Sequence, residues 1–216
     1  MKIIPVKTPN LVKRVLPSLV WKINTKQKII YLTFDDGPTP EITEWTLNIL
    51  DKYNAKATFF CIGKNIEKYP QIFKLILEKG HTIGNHTNNH LKGWKTKTKD
   101  YLENINLAQD QIDKFYKGKQ LLFRPPYGRI KPKQIKEISK LNYRIIMWNI
   151  LSKDWDKTIS KETCLDNVVK KTNSGDIVVF HDSIKASNNL KYVLPQMLDY
   201  FTKKGFEFKR IRAQDL

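Results

Sequence analysis

The chain predicts an α/β fold, a closed or nearly closed (β/α) barrel or a doubly wound open sheet, in which parallel strands alternate with crossover helices. Three observations point there. From Lys28 onward short apolar runs alternate with amphipathic stretches, about seven strand–helix units in roughly 185 residues, slightly few for a standard eightfold barrel. Residues with chemical capacity fall at the C-terminal ends of the predicted strands, where barrels and open doubly wound sheets both place their sites, so this regularity speaks for a site more than for closure. A length of 216 residues with 40% hydrophobic content suits one substantial core better than two small ones.

Residues 1–27 read as a lead-in segment that packs on the domain formed by residues 28–216. Strand 29–34 runs into the Asp35-Asp36 doublet and the Gly37-Pro38 turn. Helix 40–53 carries Ile42, Trp45, Ile49, Leu50 and Tyr53 at helical spacing. Strand 57–62, helix 66–79 stopped at Gly80, and a short strand 81–84 follow, the last leading into His86. A long polar helix spans 97–116. Strand 121–124 ends at Arg124-Pro125-Pro126-Tyr127, helix 132–141 precedes a fifth strand 143–149, and helix 161–171 precedes a sixth strand 176–180 with His181 at its end. Helix 189–204 and strand 206–209 complete the alternation.

Composition narrows the function classes. The net charge of +18 comes mostly from lysines scattered through nearly every segment, with arginine only at 14, 124, 129, 144, 210 and 212. A nucleic-acid reader gathers its cations into a stripe with interleaved aromatics, so no nucleic-acid partner is expected and the charge describes a solvated basic surface suited to anionic polymers. Cys61 lies in an apolar run and Cys164 in a mixed helical pattern, and two cysteines make neither a disulfide framework nor a metal cluster. The N-terminus lacks an unbroken apolar run of signal-peptide length, which places the expected location in the cytoplasm, with action outside it or at a membrane face left open. No stretch of about 18 apolar residues occurs, so no transmembrane span is expected. The basic, weakly amphipathic segment 11–21 leaves room for weak peripheral membrane contact. A monomer is expected.

The chemistry concentrates in two places. His86 and His90, four residues apart, fall on one face of a helical turn, so both imidazoles reach a single metal ion. Asp35 and Asp36 at a strand end supply a third ligand and a neighbouring carboxylate for proton transfer. Each pattern alone is common in ordinary surface pairs and turns, and their co-occurrence carries the reading.

Five motifs in order then resemble the NodB-like polysaccharide deacetylases, carbohydrate esterase family four: Thr33-Phe34-Asp35-Asp36-Gly37-Pro38, His86-Thr87-Asn88-Asn89-His90, Arg124-Pro125-Pro126-Tyr127, Ser152-Lys153-Asp154-Trp155 and Val179-Phe180-His181-Asp182. The resemblance covers residues 28–211. It implies a distorted (β/α) barrel of the NodB-homology type and metal-dependent removal of acetyl groups from an N-acetylated glycan. It assigns Asp36, His86 and His90 to the metal, Asp35 to the base and His181 to the acid. It assigns Arg124 to holding the base, Asp154 to positioning that arginine, the Tyr127 backbone N–H to the oxyanion, and Trp155 and Val179 to the walls of the acetyl pocket. Many relatives have leucine at Val179 and acidic residues at Asn149 and Leu151, so substrate contacts in this chain differ from theirs.

Two imidazoles and a carboxylate leave coordination positions open for water and substrate, and zinc is the expected ion, with cobalt, nickel or iron able to occupy the same set. Such an ion is a Lewis acid for the amide carbonyl and acidifies a water. The alternatives are a catalytically silent carbohydrate-binding module on the same fold, which the intact Asp35, Asp36, His86, His90 and His181 argue against, and a related C–N hydrolase of a small amide.

Overall fold

Eight short parallel strands carry the fold in the computed structural model, which describes residues 4–118 and 121–216. The first three residues of the lead-in lie outside the described residues. In chain order the elements are α1 (Asn10–Val15), β1 (Ile29–Asp35), α2 (Ile42–Lys52), β2 (Ala57–Cys61), α3 (Gly63–Lys68), α4 (Pro70–Glu78), β3 (Thr82–Asn85), α5 (Thr98–Asp113), β4 (Leu121–Phe123), α6 (Pro132–Lys140), β5 (Tyr143–Ile145), β6 (Ile150–Leu151), α7 (Lys161–Val169), β7 (Ile177–His181), α8 (Ser187–Lys203) and β8 (Glu207–Phe208). The sheet order is β5-β4-β3-β2-β1-β7-β6, and β8 pairs with the start of β1. This is a curled, incompletely closed barrel.

The two open edges are joined by the lead-in. Leu151 N–H donates to the Val6 carbonyl (2.8 Å) and Thr8 N–H to the Asn149 carbonyl (2.9 Å) on the β6 side. On the β5 side, Val20 N–H donates to Ile145 (2.9 Å) and Met147 N–H to Val20 (2.7 Å). Backbone groups that an open edge would leave unpaired are thereby satisfied.

Alternation along the central strands decides what faces the site. In β1, Ile30, Leu32 and Phe34 pack with the surrounding helices, whereas Ile29 and Tyr31 belong to the cluster that fills the barrel interior. Period two then turns Thr33 and Asp35 inward. The same parity in β7 sends Val178 and Phe180 outward and leaves Ile177, Val179 and His181 inside. Phe34, Phe59 and Phe180 stack in the outer cluster, with ring centroids 5.0 Å and 6.0 Å apart for Phe34–Phe59 and Phe34–Phe180. Burying a side chain of this size stabilises the fold by about 2 kcal/mol, so the register that aims the inner set is strongly held.

Three expectations need correction. The predicted strand 143–149 is two strands, because the carbonyls of Ile146 and Met147 leave the ladder to accept from the Arg124 guanidinium (3.1 and 2.9 Å) while the chain crosses to β7. His181 therefore ends the seventh strand, not the sixth. The predicted helix 66–79 is two helices broken at Pro70, which lacks an N–H and opens α4 at its first position. The His86–His90 segment is not a helical turn. Thr87 and His90 adopt left-handed backbone (φ 64° and 59°), and the Asn85 carboxamide accepts from Thr87 N–H (2.9 Å), which turns the chain out of β3 as a loop.

Candidate active site

The inward residues of β1, β3, β4 and β7 meet at the C-terminal mouth of the barrel in a cleft of about 350 Å³, lined by Asp35, Asp36, His86, His90, Tyr127, Trp155, Val179 and His181 among others. Asp35 and Asp36 are adjacent yet face the same space because Asp36 takes a left-handed backbone (φ 81°), which cancels the strand alternation. The turn is packed tightly. A Cβ on Gly37 would lie 2.1 Å from an Asp182 carboxylate oxygen, so only glycine fits there.

On one side stands a buried ion pair. Arg124 is fully buried and its Nη1 donates to Asp35 Oδ1 at 2.7 Å and to Thr33 Oγ1 at 2.7 Å. Its Nε and Nη2 donate to the Ile146 and Met147 carbonyls, and the Phe60 ring lies 4.1 Å from the guanidinium carbon. Burial raises the Asp35 pKa, but Arg124, His86 and His181 overcome it and hold the carboxyl below its ordinary value, so Asp35 is ionised at neutral pH.

On the other side stands His181. Asp154 accepts from both the His181 ring Nδ1–H (2.8 Å) and the His181 backbone N–H (2.7 Å). Burial opposes protonation, yet the Asp154 carboxylate, assisted by Asp36 and Asp35, lifts the imidazole to about 9. Its outer edge meets the Trp155 ring, 4.7 Å between centroids. Asp154 was expected to position Arg124. Both of its oxygens instead serve His181, and Arg124 is positioned by Thr33 and two main-chain carbonyls.

Between these groups lie Asp36, His86 and His90, each offering one ligand atom within 4.8 Å of the others. Asp36 Oδ1 is 3.7 Å from His86 Nε2 and 3.2 Å from His90 Nε2. His86 Nδ1–H donates to the Arg124 carbonyl (2.7 Å), which fixes the tautomer and leaves the Nε2 lone pair aimed at Asp36. His90 Nδ1 lies 3.1 Å from Tyr127 Oη, the corresponding support. Burial pushes both imidazoles down, His90 to about 4, so both are neutral at pH 7, the state a metal ligand needs. Among the described residues Asp36 Oδ1 is buried without a hydrogen-bond partner. A buried oxygen with that vacancy, facing two imidazole lone pairs, fits a divalent cation.

Tyr127 sits at a turn with φ 60°. Val179 and Trp155 line the cleft. Two motif residues have structural roles that the sequence does not assign, Thr33 at Arg124 and Asp182 at the turn. Asp182, fully buried, accepts from Gly37 N–H (3.1 Å) and from the Thr43 hydroxyl, and its own N–H donates to the Asp35 carbonyl (3.1 Å). It ties the strand carrying His181 to the turn carrying Asp35 and Asp36. Its position directly after His181 was the only sequence signal.

Known proteins resemble this chain over most of its length. The family model described as polysaccharide deacetylase matches residues 22–146, a span holding Asp35, Asp36, His86, His90, Arg124 and Tyr127 and stopping short of Asp154 and His181. A peptidoglycan-N-acetylglucosamine deacetylase of Bacillus cereus is 35% identical over 192 residues, covering 88% of this chain and 89% of that protein. The peptidoglycan-N-acetylmuramic acid deacetylase PdaA of Bacillus subtilis is 33% identical over 193 residues, covering 87% and 72%. A crystal structure of a peptidoglycan N-acetylglucosamine deacetylase superimposes with a TM-score of 0.86 at 30% identity, over 93% of this chain and 94% of that one. The chain belongs to the polysaccharide deacetylase family.

Proposed function

We propose that this protein is a divalent-metal-dependent hydrolase that removes acetyl groups from N-acetylated sugars of a glycan. The observation that carries the proposal is the opposition of two proton-transfer groups in unlike states across one cleft: ionised Asp35 paired with Arg124, and protonated His181 paired with Asp154.

Asp36, His86 and His90 would hold the cation, which when bound supplies a Lewis acid for the amide carbonyl and a more acidic water. Asp35 takes a proton from the attacking water as the new C–O bond forms. Arg124 keeps that carboxylate ionised and fixes its rotamer. The developing oxyanion meets the Tyr127 N–H, a donor of a kind whose removal costs about 3 kcal/mol of barrier elsewhere. When the C–N bond breaks, His181 delivers its proton to the departing amine, giving acetate and a free amino sugar. Val179 and Trp155 close around the methyl of the acetyl group.

Relatives named for N-acetylglucosamine and for N-acetylmuramic acid of peptidoglycan support an N-acetylated glycan as the substrate and leave the sugar to experiment. The test is acetate release from peptidoglycan fragments and chitin oligosaccharides by chelator-stripped protein restored with zinc, cobalt, nickel or iron. Metal-restored release supports the proposal, with zinc the expected ion; sugar binding without acetate release under any metal overturns it in favour of a binding module.

A further inference from the structure

Of the five tryptophans, Trp94 alone is mostly exposed, at 55%, and it belongs to none of the three hydrophobic clusters. An indole left in water serves no core. It is nevertheless held firmly. Trp94 Nε1–H donates to the Ile130 carbonyl at 2.9 Å. Its short turn, Gly93–Lys95, is stapled to the start of α6 by Gln134 Nε2 to the Gly93 carbonyl (3.0 Å) and Lys131 Nζ to the Thr96 carbonyl (2.7 Å). Gly93 packs against the Arg129 main chain, where a Cβ would come within 2.4 Å of the carbonyl oxygen.

The indole also contacts a residue of the cleft wall. The Arg129 guanidinium carbon lies 5.2 Å from the centre of the Trp94 ring, and Arg129 lines the cleft beside Tyr127. Tyr127 is itself 51% exposed and carries Lys92 Nζ 5.0 Å from its ring centre. Tyr127, Arg129 and Trp94 therefore lead from the reacting groups outward, with the Arg129 guanidinium between the two rings.

A pyranose ring has a flat C–H face that packs on an aromatic face, and its hydroxyls pair with cations at the rim. We propose that Trp94 is the stacking platform of a further glycan subsite, holding a sugar of the same chain beyond the one being deacetylated; this rests on the deacetylase reading above. Preorganisation follows from the staples, because a ring already fixed loses little freedom on binding.

The test compares wild type, Trp94→Ala and Trp94→Phe on N-acetylglucosamine oligomers of two to six sugars. Trp94→Ala is expected to lose about tenfold in kcat/KM on the longest oligomers, the size of one aromatic contact, mainly through KM, while staying within about twofold on the dimer. Trp94→Phe is expected to keep most of the long-chain advantage, and both variants to keep the wild-type unfolding midpoint. Equal loss at every length, or none at any, overturns the subsite. If wild type releases no acetate, the deacetylase reading fails on its own, and calorimetric titration with the hexamer decides the subsite. Tighter binding by wild type than by Trp94→Ala supports it. Equal binding, or none by wild type, overturns it.

Discussion

Replacing Asp154 by asparagine isolates the charge that makes His181 an acid. The amide keeps the shape of the side chain and one acceptor, but Asp154 currently accepts from both His181 Nδ1–H and His181 N–H, and only a carboxylate serves both. His181 stands at about 9, against an ordinary value of 6.5. The difference corresponds to about 3 kcal/mol favouring the imidazolium. Without the carboxylate, burial acts against only the weaker pull of Asp36 and Asp35, and the imidazole falls to 6.5 or below. At pH 8 the protonated fraction then drops from about 0.9 to about 0.03, roughly a 30-fold loss in kcat, while at pH 6 the variant comes within severalfold of wild type. A cation at Asp36 lowers both values by a similar Coulombic amount, so the separation between the two alkaline limbs is the quantity to read. The assay is acetate release from a fixed oligosaccharide across pH 5.5 to 10. Coincident alkaline limbs in wild type and Asp154→Asn would refute the assignment of His181 as the acid.

Further outcomes follow from the same contacts. Asp35→Asn is expected to abolish turnover and retain metal, whereas Asp36→Ala loses metal; metal content by atomic spectroscopy after dialysis separates them, and loss of metal from Asp35→Asn would exchange their roles. Asp182→Ala leaves Gly37 N–H and the Thr43 hydroxyl without their buried acceptor, and a loss of about 3 kcal/mol in urea unfolding is expected, together with weakened metal retention. His81 is buried, accepts from Ala57 N–H (3.1 Å), and is pushed down by burial to about 4, so the unfolded chain binds its proton first as pH falls. The stability it confers is complete above about pH 6.5 and declines toward pH 4, by up to about 3 kcal/mol, and His81→Gln should flatten that part of the urea-midpoint curve relative to wild type.

How much of this was legible in the sequence depended on whether a signal was local. The strands were, because β1 and β7 are apolar runs with their chemistry at the end, and period two alone sends Asp35 and His181 inward once the outer faces are known. The proposed metal ligands were legible as residue types, but the His86–His90 spacing misled about the backbone. Two imidazoles four apart suit a helical turn, yet here Asn85 and two left-handed residues make a loop that delivers the same pair. What stayed hidden was whatever required knowing which strand lies beside which. Asp154 follows a two-residue strand that pairs with β7, so its carboxylate meets His181, a strand neighbour 27 residues further on, and not Arg124. The divided strand has the same origin. Arg124 is a fully buried cation with more donors than one carboxylate satisfies, and burying it is tolerable only if main-chain carbonyls turn toward it. Ile146 and Met147 do so and break the ladder that an unbroken apolar run predicts. The irregularity between β5 and β6 is thus the structural counterpart of holding Asp35 ionised, and a chain with a regular fifth strand would leave that guanidinium without two of its acceptors.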